Sequence, residues 1–278
     1  MKFSVTARAK VNLFLKVLGR RADGYHNLVS LVDVVSLADT LHIEEQPKDL
    51  VTVDDDLGVL PVGAPNTIYR AAMLLKDIYH VTTGVHVLVE KRIPIGAGLG
   101  GPSSDAAATL KALTEAWNLP IEPERLRELG ARIGADVPLF LYGTSCIMRG
   151  VGERITPLAL PRVWYVIVYP GIVLHTKDVY ENLKISLTSV QNDITLSWKF
   201  DTVFDLARIL QNDLERSAFS LCPEIQTVKE RLRKAGAIGS LMSGSGSSVF
   251  GVFENEADAR VASEKVRDLG NVFVVHSV

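Results

Sequence analysis

Short apolar runs rich in β-branched residues recur through the first ninety residues of the chain and predict β-strands. The predicted strands are Phe3–Thr6, Val11–Leu18, Leu28–Val35, Leu41–Glu44 and Val85–Glu90. Further along, apolar residues recur every three or four positions, which predicts helices. A helix over Thr67–Tyr79 has Asn66 as its expected N-cap, and a helix over Pro123–Ile133 is expected to stop at Gly134. A third helix is predicted over Ala106–Trp117.

The first half is therefore predicted to be α+β, and a second α+β half begins after Pro157 and Pro161. A chain of 278 residues exceeds an average single domain. We therefore expect two domains, over residues 1–157 and 158–278. The elements predicted in the second half are strand Trp164–Tyr169, helix Asp201–Arg208, helix Glu224–Ala235, strand Ser247–Phe253, helix Glu256–Leu269 and strand Val272–His276.

Composition narrows the classes of function. The chain has 30 Lys and Arg residues against 32 Asp and Glu residues, a net charge of -2, which argues against a general nucleic-acid binder. Cys146 and Cys222 form neither a metal-ligand spacing nor a disulfide framework, so a cytoplasmic location is expected. The first residues lack the apolar core of a signal peptide, and the apolar run Val163–Leu174 is broken by Pro170. We expect no membrane partner; a monomer and a homodimer are both compatible with the sequence.

The segment Pro94-Ile-Gly-Ala-Gly-Leu-Gly-Gly-Pro-Ser-Ser-Asp105 places four glycines before a predicted helix. Glycine lets the backbone approach an anion, and the helix N-terminus adds positive charge, so this segment predicts a phosphate-binding loop. A dinucleotide fold would need an acidic residue at the end of a second strand, whereas Glu115 lies inside the predicted helix. A Walker loop would need Gly-Lys-Ser/Thr, which is absent from this segment. Ser103 and Ser104 could cap the helix or meet phosphate and a metal ion, and the simplest alternative is a tight turn with a serine cap.

Two other clusters carry candidate chemistry. The run Met242-Ser-Gly-Ser-Gly-Ser-Ser248 is either an ordinary hairpin turn or a second anion-binding loop. Near the N-terminus, Lys10 and Asn12 share one face of a predicted strand, although a lone strand lysine most often faces solvent. After a turn at Asp23-Gly24, the pair Tyr25-His26 offers an aromatic face beside a donor and acceptor, which suits a nucleobase or a protein core.

These segments together resemble the GHMP small-molecule kinases, in the same order and over nearly the whole chain. The resemblance rests on Ala-Lys-Val-Asn-Leu, Asp-Gly-Tyr-His, Pro-x-Gly-x-Gly-Leu-Gly-Gly-x-Ser-Ser-Asp-Ala-Ala, Ile-Gly-Ala-Asp-Val-Pro and Ser-Gly-Ser-Gly-Ser-Ser. It implies an α+β fold with an N-terminal domain like domain 2 of ribosomal protein S5, a ferredoxin-like C-terminal domain and an active site in the cleft between them. The implied reaction is ATP-dependent phosphorylation of the 2-hydroxyl of a cytidyl diphosphate sugar alcohol, in the non-mevalonate route to isoprenoid precursors. A homoserine or mevalonate type of kinase, a related decarboxylase and a catalytically silent nucleotide-binding module are the alternatives.

The resemblance also assigns roles to individual residues. Lys10 and Asp136 match the catalytic pair, in which Asp136 would accept the proton and Lys10 would keep that carboxylate ionised and stabilise the transferred phosphoryl group; Asp136 could also be a helix N-cap. Mg²⁺ would lie near Ser103 or Ser104. Pro102 and Ala97 depart from the family pattern, because glycine is frequent at both positions, and Pro102 removes one N–H donor. The implied ATP-binding residues are Pro94, Ile95, Gly96, Ala97, Gly98, Leu99, Gly100, Gly101, Pro102, Ser103 and Ser104. The implied substrate-binding residues are Asn12, Tyr25, His26, Tyr180, Gly244, Ser245 and Gly246, with the two tyrosines stacking on cytosine and His26 bonding to its edge.

Overall fold

A computed structural model describes residues 2–47, 49–183 and 199–278. The described residues form two compact units, neither of which is one continuous stretch of chain. The first unit takes the described residues within Met1–Ala9, Leu37–Ile93 and Gly100–Gly143, and the second takes those within Lys10–Ser36, Pro94–Leu99 and Thr144–Val278. The predicted boundary between residues 157 and 158 stays a prediction.

Two long strands contribute residues to both units: β1 (Lys2–Arg20) and β2 (His26–Gln46). In the first unit, the end of β2 pairs antiparallel with β4, with Thr40 opposite Glu90, and β3 pairs parallel with β4. Helix α1 begins at an Asn66 cap whose Oδ1 accepts the backbone N–H groups of Ile68 and Tyr69, which confirms the predicted cap. The other elements of this unit are β3 (Val51–Asp55), α1 (Thr67–Tyr79), β4 (Gly84–Glu90), α2 (Gly101–Ala116), α3 (Pro123–Ala131) and α4 (Val137–Tyr142).

The second unit contains a four-stranded antiparallel sheet in the order β11-β7-β10-β9. Its strands and two of its helices follow the chain order β7-α8-β9-β10-α9-β11, which is the ferredoxin-like arrangement that was expected. The sheet and these helices share a core that includes Val166, Val168, Ile225 and Ala262. The elements of this unit are β5 (Cys146–Gly150), β6 (Arg154–Pro157), β7 (Trp164–Tyr169), α5 (Thr176–Glu181), α6 (Val203–Arg208), β8 (Gln211–Asn212), α7 (Glu215–Leu221), α8 (Glu224–Ala235), β9 (Gly239–Met242), β10 (Val249–Phe253), α9 (Glu256–Glu264), a 3₁₀ turn (Arg267–Leu269) and β11 (Asn271–His276).

The structure confirms the predicted α1, β7 and α8 to the residue and corrects other boundaries. The strands predicted over Phe3–Thr6 and Val11–Leu18 are one strand, and so are those over Leu28–Val35 and Leu41–Glu44. Polar residues interrupt the apolar pattern in both strands, but the backbone ladder continues through them. The helix expected over Glu256–Leu269 ends at Glu264. Among the described residues, no helix is long and apolar enough to cross a membrane.

Asp33 of β2, inside the predicted strand Leu28–Val35, is fully buried in the second unit. Ser145 Oγ and the Tyr165 hydroxyl donate hydrogen bonds of 2.5 and 2.6 Å to its two carboxylate oxygens. Burial raises the pKa of Asp33 to about 6 from an ordinary 3.8, although both hydrogen bonds act in the opposite direction. The folded state therefore binds this proton more tightly than the unfolded chain does.

This carboxyl predicts a pH-dependent stability difference for Asp33→Asn. The proton stabilises the fold below about pH 4, and that contribution is lost as the pH rises through about 6. Relative to the unsubstituted protein, the variant should gain up to about 3 kcal/mol between pH 4 and pH 7.5, because one pKa unit is worth about 1.4 kcal/mol. Urea unfolding at both pH values measures this gain, with the exposed Asp201→Asn as control. An equal difference at both pH values would contradict the prediction.

Candidate active site

The glycine-rich segment contains the N-cap and the first five residues of the 16-residue helix α2. Gly100 is that cap and has φ +78°, a left-handed conformation that favours glycine, so α2 begins at Gly101 instead of Ala106. Ser103 and Ser104 therefore lie in the first turn, and the alternative of a serine cap is wrong. The first N–H groups of a helix have no acceptor within it, and the helix dipole adds positive charge. Such helix N-termini are suited to anions, and anion binding at the start of α2 stays a prediction.

A hydrogen bond from α1 holds the first turn of α2. Thr67, the first residue of α1, donates from Oγ1 to the carbonyl oxygen of Pro102 over 2.6 Å. Pro102 lies at the start of α2, where its missing N–H costs no intrahelical bond. The departure from the family pattern at this position is therefore compatible with the helix, at the loss of one donor.

The two serines of this turn differ in accessibility. The Ser104 residue is 2% exposed, whereas Ser103 is half-buried. A Cβ built on Gly134 would lie 3.5 Å from Ser103 Oγ, so Ser103 lies beside the segment that precedes α4. Of the two hydroxyls, Ser103 is the one that a ligand can reach.

Asp136 lies two residues beyond Gly134 and occupies the N-cap position of α4. The predicted N-cap position is thus confirmed, although the Asp136 side chain makes no capping hydrogen bond. The start of α4 therefore does not depend on a hydrogen bond from this carboxylate. The residue is half-buried.

In the second unit, Lys10 lies in a buried polar corner. The residue is 5% exposed, and its Nζ donates to Asn12 Oδ1 over 2.5 Å and to the carbonyl oxygen of Gly98 over 2.8 Å. The Asn12 amide donates in turn to Ser30 Oγ over 2.9 Å, which fixes the orientation of that amide. The shared face of Lys10 and Asn12 is confirmed, and the solvent-facing alternative for Lys10 is wrong.

The Ser243–Ser248 loop joins β9 to β10 and packs on this corner, so the predicted hairpin connection is confirmed. Its role as a second anion-binding loop stays a prediction. Ser243 Oγ donates to the carbonyl oxygen of Gly98 over 2.9 Å. A Cβ on Gly244 would lie 3.2 Å from Lys10 Nζ, so a side chain there would crowd the ammonium group. Ser245 Oγ lies 2.9 Å from the hydroxyl of Thr176, and a Cβ on Gly246 would lie 2.8 Å from Met242 Sδ.

The first half of the glycine-rich segment, Pro94–Leu99, belongs to the second unit and is held there by its carbonyl groups. The carbonyl oxygens of Ile95, Ala97 and Leu99 accept hydrogen bonds from the Tyr169 hydroxyl, Ser248 N and Lys10 N. Gly98 has φ +75°, and a Cβ there would lie 2.2 Å from the carbonyl oxygen of Ser243. Position 97 does not require glycine, because Ala97 has no positive φ, and its carbonyl oxygen bonds to Ser248 N.

The three residues expected to bind a base differ in environment. Tyr25 is 66% exposed and follows the Asp23-Gly24 turn, in which its N–H donates to Asp23 Oδ1 over 3.1 Å. His26 stacks on Tyr180, with ring centroids 4.9 Å apart and an interplanar angle of 27°. Burial and the charge of Arg20 lower the pKa of His26, so its imidazole is neutral near pH 7 and carries one donor and one acceptor.

Sequence reasoning missed the residues that hydrogen-bond to the candidate site residues or to the ends of the glycine-rich segment. These are notably Thr67, Ser30 and the buried set of Asp39, Lys91 and Asp105. The available signal was a charged residue inside an apolar strand, because a buried charge requires a partner.

Within the described residues, no group of three His, Cys, Asp or Glu side chains is arranged to hold a metal ion.

Two family models match the chain. The GHMP kinases N terminal domain matches residues 66–144, and the GHMP kinases C terminal model matches residues 187–272. The two matches fall on either side of the predicted domain boundary without defining it.

Whole-length relatives are more specific. The chain is 41% identical to the 4-diphosphocytidyl-2-C-methyl-D-erythritol kinase of Geobacter metallireducens over 273 residues, 98% of this chain and 96% of the relative. It is 41% identical to the enzyme of the same name from Shouchella clausii over 260 residues, 92% of this chain and 88% of the relative.

Solved structures agree with this relationship. A crystal structure of 4-(cytidine 5'-diphospho)-2C-methyl-D-erythritol kinase is 40% identical, with a TM-score of 0.85 over 99% of this chain and 100% of that one. The homoserine kinase of Cytophaga hutchinsonii, at 21% identity and a TM-score of 0.73, shares the fold over 99% of this chain and 94% of its own. With two GHMP kinase models matched and two-fifths identity over almost its whole length, the chain belongs to the 4-diphosphocytidyl-2-C-methyl-D-erythritol kinase family of the GHMP kinases.

Proposed function

We propose that this protein transfers the γ-phosphoryl group of ATP to the 2-hydroxyl of 4-diphosphocytidyl-2-C-methyl-D-erythritol, in the non-mevalonate route to isoprenoid precursors. The observation that carries the proposal is 41% identity, over 98% of the chain, to a kinase of that name. In the reaction a bond forms between the substrate oxygen and the γ-phosphorus, the bond to the β-phosphate oxygen breaks, and ADP leaves.

Two residues carry the chemistry in this proposal. Asp136 accepts the proton of the substrate hydroxyl, since its carboxylate is not used to cap α4. Lys10 stabilises the negative charge of the transferred phosphoryl group. Its ammonium group is held in place by Asn12 and Gly98, so little reorganisation accompanies the transfer.

ATP phosphates bind in this proposal at the N-terminus of α2, to backbone N–H groups of Pro94–Ser104. The accessible Ser103 hydroxyl beside Gly134 fits a hard cation, because Mg²⁺ prefers oxygen ligands. When bound, Mg²⁺ would neutralise phosphate charge. Free thiols at both buried cysteines support a reducing compartment, the cytoplasm, as the location.

A coupled assay of ADP release tests the proposed function. With ATP and Mg²⁺, turnover should occur with the cytidyl diphosphate sugar alcohol and not with homoserine or mevalonate. Turnover with homoserine or mevalonate alone would assign the chain to a different specificity, and no ADP formation with any of the three alcohols would contradict kinase activity.

Removing Tyr180 tests base recognition. Stacking of one base on an aromatic ring is worth about 1–3 kcal/mol, so Tyr180→Ala should raise KM for the cytidyl substrate by about 5- to 150-fold and leave KM for ATP unchanged. Tyr25→Ala should act in the same direction. Steady-state kinetics with each substrate varied in turn measures the effect. Phe204→Ala, at a 47% exposed aromatic residue of α6, is the control, and an equal rise in both KM values would contradict a specific role in base binding.

A further inference from the structure

A cluster of three buried charged residues lies at the two ends of the glycine-rich segment, within the first unit. Lys91 precedes Pro94 by three residues, and its Nζ lies 2.5 Å from Asp39 Oδ2 and 3.0 Å from Asp105 Oδ2. Lys91 is 4% exposed, Asp39 0% and Asp105 1%. When all three are ionised, the cluster carries two negative charges and one positive charge.

Asp39 fixes the backbone where the chain enters the segment. Its Oδ1 accepts the backbone N–H groups of Arg92 over 2.6 Å and of Ile93 over 2.8 Å. The N–H of Lys91 is held separately by Asp56 Oδ1 over 2.8 Å. The last residues of the approach from β4 are therefore fixed by side-chain carboxylates.

Lys91 connects this entry point to the start of α2. Asp105 is the fifth residue of that helix, and a Cβ built on Gly101 would lie 3.8 Å from Lys91 Nζ. The ammonium group thus lies under the first turn of the helix. Burial alone would lower the pKa of Lys91, but Asp105 and Asp39 raise it, so the side chain stays charged.

Stability alone does not account for such a cluster. Burying charges is costly, and apolar side chains of similar volume are often at least as stabilising as a buried ion pair. The charged groups fix a geometry here. Two short bonds to the single Lys91 ammonium group set the distance between the end of β4 and the start of α2.

We propose that Lys91 is a positioning residue for ATP: with Asp39 and Asp105 it sets the placement of the first turn of α2, whose N–H groups receive the phosphates. The inference rests on the proposed use of ATP. Lys91 does not touch the nucleotide in this proposal and acts through the helix.

The test compares Lys91→Met with Lys76→Met, a matched variant. Lys76 is also a buried lysine of the first unit, and its Nζ pairs with Asp49 and with the carbonyl oxygens of Val81 and Thr83. Both variants should lose thermal stability. Only Lys91→Met should raise KM for ATP and the Kd for ADP, by about 10-fold or more, with KM for the cytidyl substrate within twofold of the unsubstituted value. Lys91→Arg should recover part of the ATP affinity.

A neutral cluster keeps the proposal testable if Lys91→Met does not fold, since that change leaves two buried carboxylates without their cation. The variant Asp39→Asn, Lys91→Met and Asp105→Asn removes every charge and retains similar side-chain volumes. A folded triple variant with unchanged KM for ATP would overturn the proposal, as would equal effects of Lys91→Met and Lys76→Met on KM. Failure of the unsubstituted protein to turn over ATP would instead overturn the proposed function.

Discussion

Replacing Asp136 with asparagine is expected to lower kcat by about 10²- to 10⁴-fold, the contribution typical of a general base. Asparagine retains the shape of the side chain and lacks a carboxylate that can accept the hydroxyl proton. KM for both substrates should change little, because Asp136 is proposed to act on the proton and not to supply binding energy. Coupled ADP release at saturating ATP and cytidyl substrate measures the loss.

The fold should tolerate this change. Asp136 is the N-cap of α4 without a capping bond from its side chain, and asparagine is as good an N-cap as aspartate. Glu122→Gln is a matched control, since Glu122 is the N-cap of α3 and its side chain also makes no capping bond. That variant should keep full turnover. Near-normal turnover in Asp136→Asn would remove this residue from the role of base.

Local patterns were sufficient where an element's own residues determine it. Helix α1 has apolar residues at helical spacing and an Asn66 cap, and α8 is followed by a left-handed Gly236 C-cap. Both helices were predicted to the residue. The start of α2 was missed because a glycine-rich composition predicts a loop, whereas Gly100 forms the helix cap and Gly101 begins its first turn. Strand continuity through Asp39 was missed because its carboxylate is satisfied by residues far away in the chain.

Local patterns likewise predicted some features of the candidate site and could not predict others. Period-two spacing placed Lys10 and Asn12 on one face, and their hydrogen bond confirms it. The acceptor at Gly98 is 88 residues from Lys10, and Ser243 is 231 residues from Asn12, so no local pattern could pair them. The resemblance to GHMP kinases named these segments as one site, and the structure adds the contacts among Lys10, Gly98 and the Ser243–Ser248 loop within the second unit.

Gly98 is the residue on which these contacts converge. Its carbonyl oxygen accepts hydrogen bonds from Lys10 Nζ and Ser243 Oγ, and a Cβ on it would lie 2.2 Å from the carbonyl oxygen of Ser243 and 2.9 Å from that of Gly246. Both obstructing atoms belong to the backbone and cannot rotate away. A side chain at position 98 must therefore move the glycine-rich segment or the Ser243–Ser248 loop.

Gly98→Ala is consequently expected to lower kcat/KM by about 10²-fold or more, because a displacement of about 1 Å in a catalytic site costs that much. Gly171→Ala separates this clash from backbone strain: Gly171 has φ +77°, close to the +75° of Gly98, and a Cβ there meets no atom within 4 Å. Both variants should lose about 1 kcal/mol of stability from the left-handed conformation, with a further loss at Gly98 from the clash. Only Gly98→Ala should lose activity, since only that Cβ displaces the carbonyl group that holds the Lys10 ammonium. Equal activity in the two variants would show that the close approach of Gly98 to Ser243 is not needed to position Lys10.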